Sequence, residues 1–284
     1  MKPFDYFSPK TLAEAIDLLG QYHGTARVIA GGTDLLLQMK VGKLAPKAVI
    51  NIKRIPELHT LELNSHLRLG ALTTLETVRR SPMICEHYAA MADTASTMAS
   101  VQIRNLATVG GNLCTAAPSA DFAPILIALN ATAHIAGPHG ERCVPLEEFF
   151  VGPSVSSLAP DELLVTIDVP RPTGPTLYLK HAPRAWMDIA VVGVALALQL
   201  TDEICTDARI VLGAVAPTPL RARLAEAELR GRPLTADRAA CASAIAANEA
   251  KPIDDVRSSA WYWRQMVEVL TRRGLISLAG LGAE

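Results

Sequence analysis

Two glycine-rich segments decide the fold of this sequence: Ala30-Gly31-Gly32-Thr33-Asp34 and Thr108-Val109-Gly110-Gly111-Asn112. In each segment a Gly-Gly pair precedes a polar residue, so that successive backbone N–H groups can turn toward one point without obstruction by side chains. Such an arrangement suits a pyrophosphate. A single Gly-Gly pair usually marks only a tight turn. Two similar segments, each followed by hydroxyl or carboxylate side chains, predict a site for a phosphate-bearing ligand.

The common nucleotide-binding motifs do not occur in the sequence. Neither segment reads G-x-G-x-x-G, and no G-x-x-x-x-G-K-[ST] is present, which disfavours a Rossmann or P-loop site. A dinucleotide spread between the two segments would instead be hydrogen-bonded by Thr33, Asp34, Thr115 and Asp121. Asp121 has a second interpretation as the cap of a following helix, and residue chemistry alone favours neither interpretation.

Apolar periodicity predicts a mixture of helices and strands around both glycine segments. Residues 11–19 read as an amphipathic helix, and residues 26–30 and 48–52 read as buried strands, so that a first βαβ-like unit closes near residue 57. The next predicted elements are a strand over 67–71, helices over 75–79, 87–99 and up to about 129, and a hairpin of 131–136 and 141–144.

A linker is predicted at Arg171-Pro172-Thr173-Gly174-Pro175, because prolines at this spacing prevent regular backbone hydrogen bonding. The elements expected after it are strands over 189–200 and 208–215 and helices over 222–230, 236–248 and 258–273, the last ended by Gly274. The sequence therefore predicts an α+β (α/β mixed) protein in three parts, residues 1–57, 58–171 and 176–284.

Composition excludes several classes of function. The 284 residues include 27 basic and 28 acidic residues, mixed along the chain, so no electrostatic field would attract nucleic acid or anionic lipid. The five cysteines form no C-x-x-C pair and the histidines lack metal-ligand spacing, so a metal site on this chain is not expected. Without a signal-peptide pattern or an apolar run that could span a bilayer, we expect a cytoplasmic protein without a transmembrane segment.

At this level of detail the sequence resembles the flavoprotein medium subunits of the xanthine dehydrogenase and carbon monoxide dehydrogenase family. The resemblance covers nearly the whole chain. It is carried by residues 30–35, 102–105, 108–112 and 117–121 and, beyond the linker, by Lys180, Arg184, 188–190, 213–219, Arg221, Asp255, Arg257, Ser259 and Tyr262. It implies a two-part FAD-binding domain of the vanillyl-alcohol-oxidase/PCMH type, followed by a smaller α+β C-terminal domain of the CO dehydrogenase flavoprotein type.

The resemblance also implies a set of contacts to FAD. The residues that would wrap the pyrophosphate are Val28, Ile29, Ala30, Gly31, Gly32, Thr33, Asp34, Leu35, Thr108, Val109, Gly110, Gly111 and Asn112. Asp121 would bond the ribityl or ribose region, Leu164 would pack near the adenine, and Lys180 would reach the cofactor. Ile189 would neighbour the isoalloxazine ring with Trp186 as its shield, and Met98 stands where some relatives stack an aromatic ring.

In functional terms, the resemblance implies the electron-transfer subunit of a molybdenum hydroxylase. A large subunit would carry the molybdenum cofactor and a small subunit two [2Fe-2S] clusters, in a dimer of heterotrimers. Electrons would pass through FAD to NAD, a quinone, a cytochrome or oxygen. The substrate, whether carbon monoxide, a purine, an aldehyde or an N-heteroaromatic, is set by another polypeptide, and no catalytic residue is expected on this chain.

Several alternatives stay open. The chain could be a stand-alone FAD-dependent reductase of the same superfamily that uses NAD(P)H, or a flavin-free scaffold protein. His181 could relay protons, although loop histidines are more often solvated. The cluster Trp261-Tyr262-Trp263-Arg264 with Arg272-Arg273 could form a partner surface or pack on its own domain. Cys114 is interpreted as a packed side chain rather than a reactive thiol.

Overall fold

The first part of the chain forms a small parallel sheet. In the computed structural model, which describes residues 1–184 and 187–281, its three strands pair in the order β1-β3-β2. The elements of this part are β1 (Asp5–Phe7), α1 (Leu12–Gln21), β2 (Ala26–Ile29), α2 (Leu35–Lys40) and β3 (Ala48–Asn51). Thr11 begins α1 by accepting a hydrogen bond from the Glu14 N–H. The first glycine segment connects β2 to α2.

The second part forms a five-stranded antiparallel sheet in the order β4-β5-β10-β6-β7, beside a group of helices. The strands are β4 (Leu61–Leu63), β5 (His66–Gly70), β6 (Thr132–Gly137), β7 (Gly140–Pro145) and β10 (Leu163–Pro170), with β8 (Phe150–Gly152) and β9 (Val155–Ser156) as a separate pair. The helices are α3 (Leu75–Arg80), α4 (Pro82–His87), α5 (Ala89–Thr97), α6 (Val101–Arg104), α7 (Val109–Thr115) and α8 (Phe122–Ala128). The central strand β10 is the last of the five in sequence.

The sequence predicted a loop for the second glycine segment, but the structure shows that this segment begins helix α7. Thr108 has extended backbone, and its Oγ1 accepts the Gly111 N–H at 3.0 Å, which is the geometry of a helix N-cap. Gly110 is required here because a Cβ at this position would overlap Ala71. Close packing, rather than a turn, therefore explains this glycine.

The third part pairs an antiparallel sheet with three helices. Strands β11 (Thr176–His181), β12 (Val192–Thr201), β13 (Ile204–Gly213) and β14 (Leu220–Arg221) are neighbours in that order, and β15 (Arg232–Pro233) pairs with β13. The helices are α9 (Arg223–Leu229), α10 (Ala236–Glu249) and α11 (Ala260–Leu278). The predicted helix end at Gly274 is wrong, because α11 continues through it. Gly274 faces the sheet, where a Cβ would overlap Leu196.

Two hydrophobic cores hold these parts together. One core joins the first two parts, from Ala15 to Val169, and the other lies within the third part, from Val191 to Leu275. Tyr178, Ala195 and Val211 of the third part are buried in the first core. The third part is therefore packed against the first two rather than attached only through residues 171–175. Within the described residues, no helix has the length and apolarity needed to cross a membrane.

Candidate functional site

The two glycine segments lie against each other and line one cavity of about 540 Å³. Gly31 approaches the backbone of Leu106 and Ala107 so closely that a Cβ at Gly31 would overlap the Leu106 carbonyl. The cavity volume lies within the range of roughly 300–1,000 Å³ that is usual for ligand pockets. The fold thus brings together the two segments that the sequence singled out.

Most of the predicted cofactor-binding residues line this cavity. They are Val28, Ala30, Gly31, Gly32, Thr33, Asp34, Leu35, Thr108, Gly110, Gly111, Asn112, Thr115 and Leu164. Sequence reasoning missed a second group of lining residues: Arg27, Gln38, Leu44, Ile52, Ala71, Ala107, Cys114, Ser154, Leu158, Glu162 and Leu163. These residues belong to no recognisable motif. Ser154, Leu158, Glu162 and Leu163 reach the site only because β10 and the segment before it lie beside α7.

The first segment offers an unusual run of hydrogen-bond donors. Within the described residues, 1–184 and 187–281, the backbone N–H groups of residues 31–35 have no hydrogen-bond acceptor. The helical pattern resumes only with the Leu36 N–H, which donates to the Gly32 carbonyl at 3.1 Å. Gly32 has a positive φ of 77°, a conformation that glycine adopts without strain. These five consecutive donors stand at the cavity wall and suit an anion.

The second segment contributes differently, because the N–H groups of residues 109–112 already have acceptors within the protein. The Val109 N–H donates to the Thr73 carbonyl and the Gly110 N–H to the Ala71 carbonyl, both at 2.9 Å. A Cβ at Gly111 would meet only Thr108 Oγ1, at 2.9 Å. The segment therefore leaves room for a ligand to approach the backbone closely, rather than supplying amide donors to it.

The polar side chains of the cavity fit a ligand that carries donors as well as phosphate. Asn112 Oδ1 is buried and has no hydrogen-bond partner among the residues described here, and a buried acceptor left without a donor is costly. Thr115 Oγ1 donates to the Gly111 carbonyl at 2.8 Å. Asp34 makes no capping hydrogen bond to α2, and desolvation raises the pKa of its carboxyl. A pyrophosphate with attached hydroxyl groups and rings matches this set, as FAD would provide.

A second polar cluster joins the first two parts to the third. Asp121 immediately precedes α8 but does not cap it, so the helix-cap interpretation is wrong. Its carboxylate instead accepts hydrogen bonds from Tyr178 OH at 2.7 Å and from Lys180 Nζ at 2.9 Å. Lys180 Nζ also donates to the Asp188 carbonyl at 2.8 Å. Burial raises the pKa of Asp121, opposed by the charge of Lys180, and burial also raises the pKa of Tyr178 well above its usual value.

The remaining predicted residues lie outside the cavity lining. Met98 and Val109 are buried in the first core, Ile29 contacts the position a Cβ would take at Gly32, and Ile189 is 58% exposed on the segment after β11. Asp121 and Lys180 form the separate cluster just described. Trp186, the proposed ring shield, lies outside the described residues.

The histidine and aromatic candidates of the third part also have defined positions. His181 Nε2 lies 3.1 Å from Tyr262 OH, so this imidazole is hydrogen-bonded to α11. Trp263 is buried with Arg257 stacked over its ring at 4.7 Å, whereas Trp261 is 68% exposed. The aromatic cluster thus divides between packing and solvent. In the described part of the chain, no group of three His, Cys, Asp or Glu side chains could hold a metal ion.

Comparison with known proteins gives two family matches and close structural relatives. Residues 2–172 match the FAD-binding domain of molybdopterin dehydrogenases, and residues 177–278 match the CO dehydrogenase flavoprotein C-terminal domain. The chain is 33% identical to the carbon monoxide dehydrogenase medium chain of Hydrogenophaga pseudoflava over 96% of both sequences. It is 32% identical to a putative xanthine dehydrogenase FAD-binding subunit of Escherichia coli, over 94% of this chain and 93% of the relative.

A solved structure agrees with these matches. Carbon monoxide dehydrogenase from Hydrogenophaga pseudoflava, in a form lacking the Mo-pyranopterin moiety of its cofactor, contains a chain that superposes with a TM-score of 0.95 at 34% identity, covering 100% of both chains. The two-part FAD-binding fold with a C-terminal α+β domain, expected from the sequence, is confirmed.

Proposed function

Because this chain belongs to the family of FAD-binding medium subunits of molybdenum hydroxylases, we propose that it passes electrons from [2Fe-2S] clusters of a small partner subunit through FAD to an external acceptor. The chain is thus an oxidoreductase subunit, and its complexes contain a large molybdenum-binding partner as well. We further propose a dimer of heterotrimers and an acceptor that is NAD, a quinone, a cytochrome or oxygen. The stand-alone reductase and the flavin-free scaffold are set aside, because both family matches describe parts of this flavoprotein family.

The site proposal rests on one observation. Within the described residues, the backbone N–H groups of residues 31–35 have no hydrogen-bond acceptor, and these residues line a cavity together with Gly111 and Asn112. We assign the FAD pyrophosphate to these donors, where the negative charge would be held by N–H groups that need no side chain. Asn112 Oδ1 would accept a hydrogen bond from a hydroxyl of the bound molecule, and Leu164 would pack against its adenine end.

The remaining predicted contacts are assigned to the isoalloxazine side of the cofactor. There, Asp121 and Lys180 form a buried ion pair at 2.9 Å, and Ile189 and Met98 would neighbour the ring. FAD, when bound, supplies the redox chemistry, because a flavin is stable with either one or two added electrons. The chain itself binds and orients the cofactor, and no acid–base step is assigned to its residues. The three proposed parts, 1–57, 58–171 and 176–284, are supported by the three larger sheets, of which each part contains one.

The site assignment is tested by flavin content. Gly111→Val places a branched side chain in the space that the pyrophosphate needs, and we expect the purified variant to lose its absorbance near 450 nm while the third part stays folded. Gly20→Val is the matched control, since a Cβ at Gly20 on α1 meets no atom within 4 Å. Normal flavin content in Gly111→Val would contradict the assignment.

The electron-transfer role is tested on the assembled complex. The native complex should contain molybdenum, iron and flavin together, and the isolated chain should fail to oxidise the organic substrate. Where the acceptor is NAD, the isolated chain should still pass electrons from a reduced nicotinamide to a dye. Turnover of the organic substrate by the single purified chain, or a native preparation without molybdenum and iron, would refute the subunit role.

A further inference from the structure

A chain of hydrogen-bonded side chains crosses the solvent face of the second sheet, away from the cavity. Cys143 on β7 and His134 on β6 are direct cross-strand neighbours, with Sγ and Nδ1 3.3 Å apart. His134 Nε2 lies 2.9 Å from Asp168 Oδ2 on β10. A thiol, an imidazole and a carboxylate therefore stand in the order of nucleophile, base and orienting group.

The hydrogen-bond partners of Asp168 determine where the protons of Asp168 and His134 lie. Arg68 donates two hydrogen bonds to its carboxylate, at 2.9 and 3.0 Å. Burial would raise the pKa of Asp168, but the hydrogen bond and the positive charge of Arg68 oppose it, and the pKa is lowered overall. An ionised carboxylate only accepts hydrogen bonds, so the ring hydrogen of His134 lies on Nε2. The free lone pair on Nδ1 then faces the Cys143 thiol.

The same carboxylate oxygen has a second imidazole partner, which supplies an internal comparison. His66 Nε2 lies 3.1 Å from Asp168 Oδ2, and His66 Nδ1 lies 3.1 Å from Ser65 Oγ. Asp168 thus has two branches of hydrogen-bonded side chains, one through His66 to the Ser65 hydroxyl and one through His134 to the Cys143 thiol. The two branches are alike except for this last group. Only the thiol is a strong nucleophile near neutral pH.

We propose that Cys143, His134 and Asp168 form a reactive-thiol site at which hydrogen peroxide oxidises Cys143. The thiol proton passes to His134 Nδ1, and the sulfur attacks one oxygen of the peroxide. The S–O bond forms as the O–O bond breaks, and the departing hydroxide takes the proton back from His134 and leaves as water. The sulfur is oxidised by two electrons to a sulfenic acid and the peroxide is reduced to water.

The other four cysteines lack this arrangement. Cys85 is exposed, but its Sγ donates to the Arg79 carbonyl at 3.4 Å, which cannot take up a proton. Cys241 is exposed and, within the described residues, has no hydrogen-bond partner. Burial raises the pKa of Cys114 to about 12 and, together with the charge of Asp207, that of Cys205 to about 11. These two side chains stay protonated thiols, and such structural cysteines are inert.

The first test compares the exposed cysteines within one protein. The FAD-loaded full-length chain is treated with iodoacetamide at pH 7, and alkylation of each cysteine is followed by peptide mass spectrometry. We expect Cys143 to react about tenfold or more faster than Cys85 and Cys241, because among the contacts of the described residues only Cys143 has a base within hydrogen-bond distance. Equal rates at Cys143 and Cys241 would overturn the proposal.

The second test removes the base and its orienting group. His134→Gln should reduce alkylation of Cys143 to the rate of Cys241, and Asp168→Asn should do the same because an amide donor at this position favours the wrong His134 tautomer. Ser65→Ala, on the other branch, should leave the rate unchanged. If Asp168→Asn fails to fold, His134→Gln still decides, and an unchanged Cys143 rate in it would refute the role of His134.

The oxidation itself is read out with dimedone, which labels sulfenic acids. After a brief exposure to hydrogen peroxide, the FAD-loaded wild-type chain should carry the label on Cys143 before any other cysteine. His134→Gln should lose this selectivity. Labelling that appears first at Cys85 or Cys241 would show that exposure alone, and not the His134 contact, sets the reactivity.

Discussion

Glu76 should be one of the most important side chains for stability, although no motif contains it. Its carboxylate is 6% exposed and pairs with Arg79 at 2.6 Å and with Arg104 at 3.0 Å. Hydrogen bonds from Arg79, and then from Arg104 and Arg80, lower the pKa of Glu76 to about 2 against the opposing effect of burial. Arg104 ends α6 and also donates to the Met98 and Ala99 carbonyls, so Glu76 fixes the segment that leads into the second glycine segment.

The expected cost of Glu76→Gln can be estimated in two ways. A drop in the pKa from its usual 4.5 to about 2 corresponds to about 3 kcal/mol of stability at pH 7. Removing one partner of a buried ion pair costs about 3–5 kcal/mol, and the lower end applies because Arg104 keeps its two carbonyl acceptors. We therefore expect Glu76→Gln to lower the free energy of unfolding by about 3 kcal/mol.

The pH dependence separates this explanation from simple packing loss. A carboxyl whose pKa is lowered by folding contributes stability that is fully present above pH 4.5 and is lost as the pH falls toward about 2. The free energy of unfolding is measured by urea unfolding followed by circular dichroism. The difference in this free energy between wild type and Glu76→Gln should shrink by half or more between pH 7 and pH 3. Glu86→Gln, at an exposed position on α4, should change stability by less than about 0.5 kcal/mol. A difference that is equal at both pH values would refute the reasoning.

Two further substitutions test the packing of the third part. Asp121→Asn removes the carboxylate partner of Lys180 and should cost about 3 kcal/mol in urea unfolding, the lower end for a broken buried pair, because Lys180 keeps the Asp188 carbonyl as an acceptor. A loss below about 1 kcal/mol would show that the pair at 2.9 Å is not maintained in solution. Gly274→Val forces a side chain against Leu196 and should cost about 1–3 kcal/mol, measured by the same method. An unchanged midpoint for Gly274→Val would mean that α11 does not lie against β12 as described.

Local patterns predicted many of the helices and strands, the two glycine segments and their meeting at one cavity, although the second segment begins a helix and residues 82–97 form two helices. They could not predict which segment carries free donors. Both contain a Gly-Gly pair, but the amides of Val109 and Gly110 are taken by carbonyls of Thr73 and Ala71, more than thirty residues earlier in the chain. Long-range pairing of this kind leaves no mark in the spacing of residues.

The hydrogen-bond partners of individual polar side chains could not be predicted from the sequence either. Asp121 carries the pattern of a helix cap, and only the packing of the third part against the first two shows that Tyr178, 57 positions later, takes its carboxylate. Gly274 illustrates the opposite error, since a glycine late in a helical pattern was interpreted as a stop signal. Its real function, close contact between helix and sheet, depends on the neighbour it meets and not on its own sequence context.

The position of β10 in its sheet bears on how the protein is made. This strand lies between β5 and β6, yet it leaves the ribosome after both, and the Arg68–Asp168 pair closes a separation of 100 residues. Until β10 is synthesised, strand β5 of the β4–β5 hairpin and strand β6 of the β6–β7 hairpin each lack their second partner strand. Topologies of such high contact order fold slowly. Leu163 and Leu164 on the same strand complete the cavity wall. A nascent chain shorter than about 170 residues therefore has no complete pocket, so loading of the flavin follows synthesis of the whole FAD-binding part.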